Sequence, residues 1–132
     1  MRVMLQTFPD VITPEEHEAL LAIAGRTTFV SGLETANKRL AGTKLNEQMM
    51  LADPACADVA KIVGAALSRH SALRAATIPR QVHSLRLARY RAGMRYGKHV
   101  DAPLMQDGPM ALRADLSFTL FLSQPKAYEG GE

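Results

Sequence analysis

The spacing of apolar residues changes once along this chain of 132 residues, and that change limits the folds open to it. Before Pro79 the apolar residues recur every three to four positions, as they do on one face of a helix. After Pro79 they alternate with polar residues, as they do on a half-buried strand. Helices followed by strands predict an α+β domain, or a mainly β domain with N-terminal helices. The length suits a single domain.

The first helix has a distinct start signal. Thr13 suits the N-cap, Pro14 suits the first helical position, and Glu16 completes a capping box with Thr13. Gly25 is predicted to end this helix. Residues 2–8, which precede it, are predicted to form a short strand.

The second helix is predicted to begin with Asp53 as its N-cap and Pro54 at its first position. Its apolar residues recur at helical spacing: Val59, Ile62, Val63, Ala66 and Leu67. It is predicted to end near His70, whose place in the last turn suits the helix dipole.

Four segments are predicted to be strands, namely residues 29–30, 81–90, 96–101 and 114–123. The last has the clearest alternation, with leucine and phenylalanine on one face and a more polar face opposite. Residues 91–94 are predicted to form the turn between the second and third of these strands. Because three strands after residue 80 cannot close a barrel or a sandwich, the sheet is expected to be incomplete.

The remaining connections contain glycine. Turns are predicted at residues 31–32 and 41–42, and a loop at 107–109. Residues 44–49 show no clear period, and they are expected to be irregular or to form a short strand.

Charge and cysteine content favour some partners over others. The excess of 16 Lys+Arg over 13 Asp+Glu is typical of an ordinary solvated surface. The arginines and lysine between residues 80 and 98 fall on both faces of their strands, so a nucleic-acid partner is not expected. An anionic small substrate or cosubstrate is compatible with them.

The single cysteine, Cys56, excludes an internal disulfide and suits a reducing compartment. Its place in a predicted helix favours a structural thiol over a nucleophile. No signal peptide and no membrane-spanning stretch is recognisable. We therefore expect a soluble, cytoplasmic protein without a membrane partner.

His99 and Asp101 form a motif with a direct chemical meaning. On an extended strand, positions i and i+2 point the same way, so the imidazole and the carboxylate are expected to lie side by side. One histidine and one carboxylate are two of the three ligands of the facial triad that binds non-heme Fe(II). The third ligand, a second histidine, would have to come from elsewhere in the fold.

The surroundings of this motif resemble a known family. YRAGMRYGKHVD at residues 90–101 is similar to the iron-binding strand of the iron(II)- and 2-oxoglutarate-dependent dioxygenases, in the prolyl-4-hydroxylase-like branch. RADLSFTLFLS at 113–123 and YEGGE at 128–132 resemble the next strand and turn of the bacterial PKHD-type hydroxylases within that branch. Residues 8–13 and 44–48 look like the same family.

The resemblance implies a double-stranded β-helix, or jelly roll, with region 1–78 packed on a core that begins at 79–132. It implies Fe(II) as the metal, 2-oxoglutarate as cosubstrate, and leaves ascorbate (vitamin C) open as a further cofactor. His99 and Asp101 match the iron ligands. Tyr90 and Tyr96 match aromatic residues of the cosubstrate pocket. The substrate, a small molecule or a peptidyl group, is not indicated.

One departure from the family is expected to affect activity. The family's second iron-binding histidine, and the arginine that pairs with 2-oxoglutarate, lie downstream of the residues present here. His17, His70 and His83 lie upstream and do not match that ligand. The resemblance therefore predicts an Fe(II)- and 2-oxoglutarate-dependent oxygenase that is truncated here and inactive as this chain. The alternative is a non-catalytic jelly-roll fragment that binds a partner or forms a homo-oligomer through open sheet edges.

Overall fold

A computed structural model describes residues 4–34, 42–83 and 85–130. The chain forms two compact units, Met1–Gly97 and Lys98–Glu132, and each is described by itself. The division into regions 1–78 and 79–132 concerns packing on a jelly-roll core, and it stays a prediction.

The first helix, α1 (Pro14–Arg26), begins where the sequence indicates. The Thr13 hydroxyl accepts a hydrogen bond from the Glu16 backbone N–H at 3.2 Å, and the Thr13 N–H donates to the Glu16 carboxylate at 2.9 Å. Both halves of the predicted capping box are therefore present. The helix ends one residue beyond Gly25.

The second helix, α2 (Ala55–Arg69), begins after Pro54. Its N-cap residue is Pro54 rather than the predicted Asp53, so the helix begins one residue later than expected. The Asp53 carboxylate nevertheless accepts a hydrogen bond from the Ala55 N–H at 2.9 Å. His70 follows its last residue, as predicted, but also begins a further helix, α3 (Ser71–Thr77), which the sequence did not indicate. That helix forms because the imidazole Nδ1 of His70 accepts from the Leu73 N–H at 3.2 Å.

The core of the first unit lies where α1 packs on α2. Its buried residues are Leu20 and Ile23 from α1, Val59, Val63, Ala66 and Leu67 from α2, and Met49 and Leu87. The four α2 positions follow the helical spacing of the sequence, whereas Ile62, which shares that spacing, is only partly buried. Within the described ranges, no helix has the length and apolar character needed to cross a membrane.

Two small antiparallel sheets complete the first unit. Strands β1 (Phe29–Ser31), β3 (Glu47–Met49) and β4 (Ala88–Arg89) pair in the order β1-β3-β4. Strands β2 (Lys44–Leu45) and β5 (Arg95–Tyr96) form a second pair. The strand at 29–30 is confirmed, and residues 44–49 contain two short strands.

The turn at 91–94 is confirmed. The Met94 N–H donates to the Arg91 carbonyl at 2.9 Å, and Gly93 has φ of 82°, a left-handed conformation that favours glycine. The turn leads from β4 to β5 and so places Tyr90 and Tyr96 at its two ends.

The second unit contains one hairpin, formed by β6 (Leu104–Asp107) and β7 (Met110–Arg113). The predicted loop at 107–109 is confirmed as the hairpin turn, and Gly108 supplies its positive φ of 59°. A 3₁₀ turn at Pro125–Ala127 follows, and the rings of Phe121 and Tyr128 stack with their centroids 5.3 Å apart.

Several predicted strands are shorter than expected or absent. Of the described residues in 81–90, only Ala88–Arg89 are in a strand, and the strand expected at 96–101 stops at Tyr96. Residues 114–122 belong to no strand, although their alternation is the clearest in the sequence. Alternation indicates which face of a strand would be buried, but a strand also needs a neighbouring strand with which its backbone can form hydrogen bonds. In this chain Leu116 and Phe118 remain 64% and 51% exposed.

Two N-terminal expectations also change. Residues 4–8 form no strand, and residues 2–3 lie outside the described chain. The turn expected at 31–32 is instead the end of β1 followed by a 3₁₀ turn, Gly32–Glu34. Of the turn at 41–42, Gly42 is in a turn and Ala41 lies outside the described residues. The described chain is thus a mixed α+β structure with three helices and small antiparallel sheets, as predicted, although β1, β2 and β3 precede α2 instead of following the helices.

Candidate metal and cosubstrate site

His99 and Asp101 lie side by side in the second unit. The imidazole Nε2 of His99 is 3.0 Å from the carboxylate Oδ1 of Asp101. The side chain of His99 is 25% exposed and that of Asp101 is 58% exposed, so solvent reaches the pair. They meet although neither residue is in a strand.

The separation of these two atoms suits a shared metal ion. Two ligand atoms at about 2.1 Å from an octahedral ion, at right angles to each other, lie about 3 Å apart. An imidazole nitrogen and a carboxylate oxygen are also donors that Fe(II) accepts. The two residues therefore fit two positions of a facial triad.

A third protein ligand is not found beside this pair. Among residues 4–34, 42–83 and 85–130, no three His, Cys, Asp or Glu side chains are grouped to hold a metal ion. His70 has other contacts, because its Nε2 lies 3.0 Å from the Pro9 carbonyl and its Nδ1 accepts from Leu73. The described chain thus brings together two of the three expected donors.

Tyr90 follows β4 in the first unit, and it is 48% exposed. Its phenol oxygen accepts a hydrogen bond from Asn46 Nδ2 at 3.0 Å. Asn46, between β2 and β3, is only 4% exposed. Residues 44–48 belong to the family resemblance, but the sequence pattern indicated no role for Asn46. Its i, i+2 spacing from Lys44 is the signal that could have found it.

Tyr96 lies in β5 directly opposite Lys44 of β2. The ammonium nitrogen of Lys44 is 5.3 Å from the centre of the Tyr96 ring, a distance suited to a cation–π contact. Lys44 is 7% exposed, and burial lowers the pKa of its ammonium group, with the positive charge of Arg86 acting in the same direction.

The Arg89 guanidinium is not placed to pair with the carboxylate of a ligand, because it already pairs with the Glu47 carboxylate. Its Nε lies 2.6 Å from Glu47 Oε2, and its guanidinium stacks 4.1 Å from the Phe29 ring centre. Arg91 reaches the same carboxylate oxygen at 3.2 Å. The hydrogen bond from Arg89 is the main reason that the pKa of Glu47 is lowered.

Cys56 agrees with the structural role expected for it. Its thiol lies 3.3 Å from the Met50 carbonyl, and burial raises the pKa of the thiol. A raised pKa reduces the thiolate fraction, which is the nucleophilic form.

The four predicted site residues thus fall in two units, with Tyr90 and Tyr96 in Met1–Gly97 and His99 and Asp101 in Lys98–Glu132. Their assignments as cosubstrate-binding residues and metal ligands stay predictions.

Comparison with known proteins identifies relatives that are named PKHD-type hydroxylases. No protein-family model matches the chain. A PKHD-type hydroxylase of Crocosphaera subtropica is 40% identical over 129 residues, which are 98% of this chain and 58% of that protein. A PKHD-type hydroxylase of Synechococcus elongatus is 44% identical over 103 residues, covering 78% of this chain and 46% of that protein.

The chain therefore spans about half the length of the curated relatives that it matches. The similarity nevertheless covers almost all of the residues present here. The chain is related by sequence to the PKHD-type hydroxylases.

Proposed function

We propose that this chain is part of an Fe(II)- and 2-oxoglutarate-dependent oxygenase that hydroxylates a small-molecule or peptidyl substrate. The observation that carries the proposal is the 3.0 Å separation of His99 Nε2 and Asp101 Oδ1. The names of the relatives support hydroxylation in general. The dependence on iron and 2-oxoglutarate rests on the donor types and on the family resemblance.

In this proposal His99 and Asp101 hold the iron, and Tyr90 and Tyr96 line the cosubstrate pocket. The metal supplies the oxygen-activating chemistry, while the protein supplies binding, orientation and exclusion of water. Strands β4 and β5 would be the first part of a jelly-roll core, and ascorbate would act as a reductant. A cytoplasmic setting remains part of the proposal.

We expect the chain itself to turn over little. A facial triad needs three protein ligands, and the described residues bring two together. Two donors hold a metal ion less tightly than three and leave its orientation less restricted. Weak metal binding with little product is therefore the expected behaviour of these 132 residues.

The test is an anaerobic titration of the chain with Fe(II), followed by 2-oxoglutarate, while visible absorbance is recorded. Chelation of the metal by the cosubstrate should produce a weak charge-transfer band. His99→Ala should abolish the band, and His17→Ala, on α1, is the matched control. A wild-type chain without a band at saturating ligand, or a band unchanged in His99→Ala, would rule out the proposed site.

A second candidate function, self-association, is favoured by the apolar surface of the second unit. The large exposed side chains there include Val100, Leu104, Met110, Leu116, Phe118 and Phe121. Self-association would remove these apolar side chains from water. Light scattering after size-exclusion chromatography should then show a dimer or larger species that Leu116→Ser together with Phe118→Ser dissociates. A monomer at high concentration excludes this candidate.

A further inference from the structure

Two buried polar side chains, Lys44 and Asn46, lie on the same side of one short segment. They are 7% and 4% exposed, while Leu45 between them is 51% exposed. This is the alternation expected of an extended backbone, but here the inward face carries an ammonium and an amide. Buried groups of these types usually have polar partners, so the surroundings of each indicate its role.

Gly32 allows the two side chains to come together. A methyl group on Gly32 would lie 1.8 Å from Asn46 Oδ1 and 3.0 Å from Lys44 Cε, so both side chains reach the same point above its Cα. The Gly32 N–H also donates to the Asn46 carbonyl at 2.8 Å. Asn46 is thus held through its backbone and by close packing of its amide.

The Asn46 amide determines what the Tyr90 hydroxyl can do. Asn46 Nδ2 donates to the phenol oxygen at 3.0 Å, so that oxygen is the acceptor in the contact. The phenol hydrogen is therefore left to donate elsewhere, and Tyr90 is exposed enough for a ligand to reach it. Within the described chain, the buried Asn46 Oδ1 has no hydrogen-bond partner. A buried oxygen without a partner costs stability, and a functional role for the side chain would explain why this arrangement is retained.

Lys44 provides a positive charge beside this group. No carboxylate of the described residues forms an ion pair with its ammonium, although five arginine–carboxylate pairs are found among them. Its polar contact is with the Tyr96 ring, and Arg86 adds a second positive charge within electrostatic range. An anion from outside these residues would compensate both charges.

We propose that the Lys44 ammonium and the Tyr90 hydroxyl together bind one carboxylate of 2-oxoglutarate, and that Asn46 is the positioning residue that directs the Tyr90 hydroxyl toward it. The inference rests on the proposed function, because it takes 2-oxoglutarate as the ligand. It adds two residues, Lys44 and Asn46, to those indicated by the sequence. Lys44, Asn46 and Tyr90 all lie in the first unit.

The test uses the 132-residue chain with ¹³C-labelled lysine, titrated with 2-oxoglutarate without metal and again with Mn(II). The Lys44 Cε resonance, assigned by its loss in Lys44→Met, should shift on binding, while those of Lys61 and Lys126 should not. This readout needs no variant that could fail to fold. A Lys44 resonance that does not move while 2-oxoglutarate binds would overturn the inference.

Affinities of variants, measured by calorimetry, separate the contributions. Lys44→Met and Tyr90→Phe should each weaken binding by about tenfold or more, since both remove a charge-assisted contact. Asn46→Ala should weaken binding as well. Adding Asn46→Ala to Tyr90→Phe should cause little further loss of affinity, because both substitutions remove the same contact between the Tyr90 hydroxyl and the ligand. Lys61→Met, on the exposed side of α2, is the control for loss of one positive charge.

The outcomes distinguish this inference from the proposed function. If Tyr90→Phe weakens binding while Lys44→Met and Asn46→Ala do not, the inference is wrong and the oxygenase proposal stands. Additive losses from Asn46→Ala and Tyr90→Phe would show that Asn46 does not act through Tyr90. If 2-oxoglutarate does not bind the wild-type chain with or without Mn(II), the inference is wrong, and so is the proposal that this chain binds 2-oxoglutarate.

Discussion

The Nε2 of His99 and the Oδ1 of Asp101 are 3.0 Å apart, although the backbone between them forms no strand. The Val100 side chain between them is 93% exposed, so it does not take part in their contact. An imidazole and a carboxylate in contact can exchange their shared hydrogen bond for a metal ion. The geometry needed for two-point binding is therefore present in the second unit by itself.

We expect Mn(II), a paramagnetic substitute for Fe(II), to bind at this pair. Its unpaired electrons should broaden the amide NMR signals of residues near His99 and Asp101 at low metal concentration. Asp101→Asn should reduce the broadening by weakening the site, because an amide oxygen carries no charge. Asp115→Asn is the control, since Asp115 also lies in the second unit but pairs with Arg113 at 2.7 Å. Broadening spread evenly over the acidic residues would argue against a defined site.

Gly32→Ala should destabilise the protein by roughly 1–3 kcal/mol, the usual cost of overpacking a buried position. The new methyl would lie 1.8 Å from Asn46 Oδ1, so the amide must move. Gly64→Ala is the matched control, because a methyl there meets nothing within 4 Å. Gly64 lies inside α2, and alanine should stabilise that helix by about 1 kcal/mol. Urea denaturation of the two variants should therefore give changes of opposite sign.

Lys44→Met should make the ligand-free protein more stable at neutral pH. Burial lowers the pKa of Lys44, so the native protein holds this proton less tightly than the unfolded chain does. The stability cost of the charged lysine should decrease as the pH rises through its native pKa toward about 10.4, the ordinary lysine value. The gap in melting temperature between variant and wild type should therefore narrow from pH 7 to pH 10.

Lys61→Met controls for the loss of one positive charge in these melting experiments. A gap that stays constant across the alkaline range would show that burial of the Lys44 charge has little effect on stability. Addition of 2-oxoglutarate should reduce the gap at neutral pH, because the ligand binds the wild-type chain more tightly and therefore stabilises it more than the variant.

Glu16 and Arg69 should contribute to stability in a pH-dependent way. Arg69 donates to both Glu16 oxygens, at 2.9 and 2.8 Å, and joins α2 to the first turn of α1. This contact is the main reason that the pKa of Glu16 is lowered, and the Thr13 N–H lowers it further. A carboxylate of this kind stabilises the native state above its unfolded pKa, about 4.3, and loses that effect as the pH falls through its native pKa.

Glu16→Gln should accordingly melt below the wild type at pH 7, and the difference should shrink as the pH falls below about 4. Glu18→Gln changes the same charge on the same helix and serves as the control. Equal melting curves for Glu16→Gln and wild type at pH 7 would show that the ion pair and the cap are without net effect.

Local signals predicted part of the structure correctly. The start of α1 follows from Thr13 and Glu16, which lie three residues apart and bond to each other's backbone. The turn at 91–94 follows from Gly93, which accepts a positive φ. Such features depend on residues close together in the chain, and the sequence contains them in full.

The strands were predicted less well. Residues 96–101 and 114–123 have the alternation of strands, yet only the first residue of the former is in a ladder. Strand β5 pairs with β2, which lies about fifty residues earlier in the chain. The alternation of apolar and polar residues does not identify such a distant partner strand, so it does not predict where the hydrogen-bonded ladder ends.

The sequence by itself determined the start of α1, the turns at Gly93 and Gly108, the α+β class and the i, i+2 spacing of His99 and Asp101. Only the tertiary structure placed the Asn46 amide on the Tyr90 hydroxyl, 44 residues away, and buried Lys44 without an acidic partner among the described residues. The physical reason is the range of the interactions. Caps and turns form between neighbours, whereas the surroundings of a buried polar group come from segments that only folding brings together.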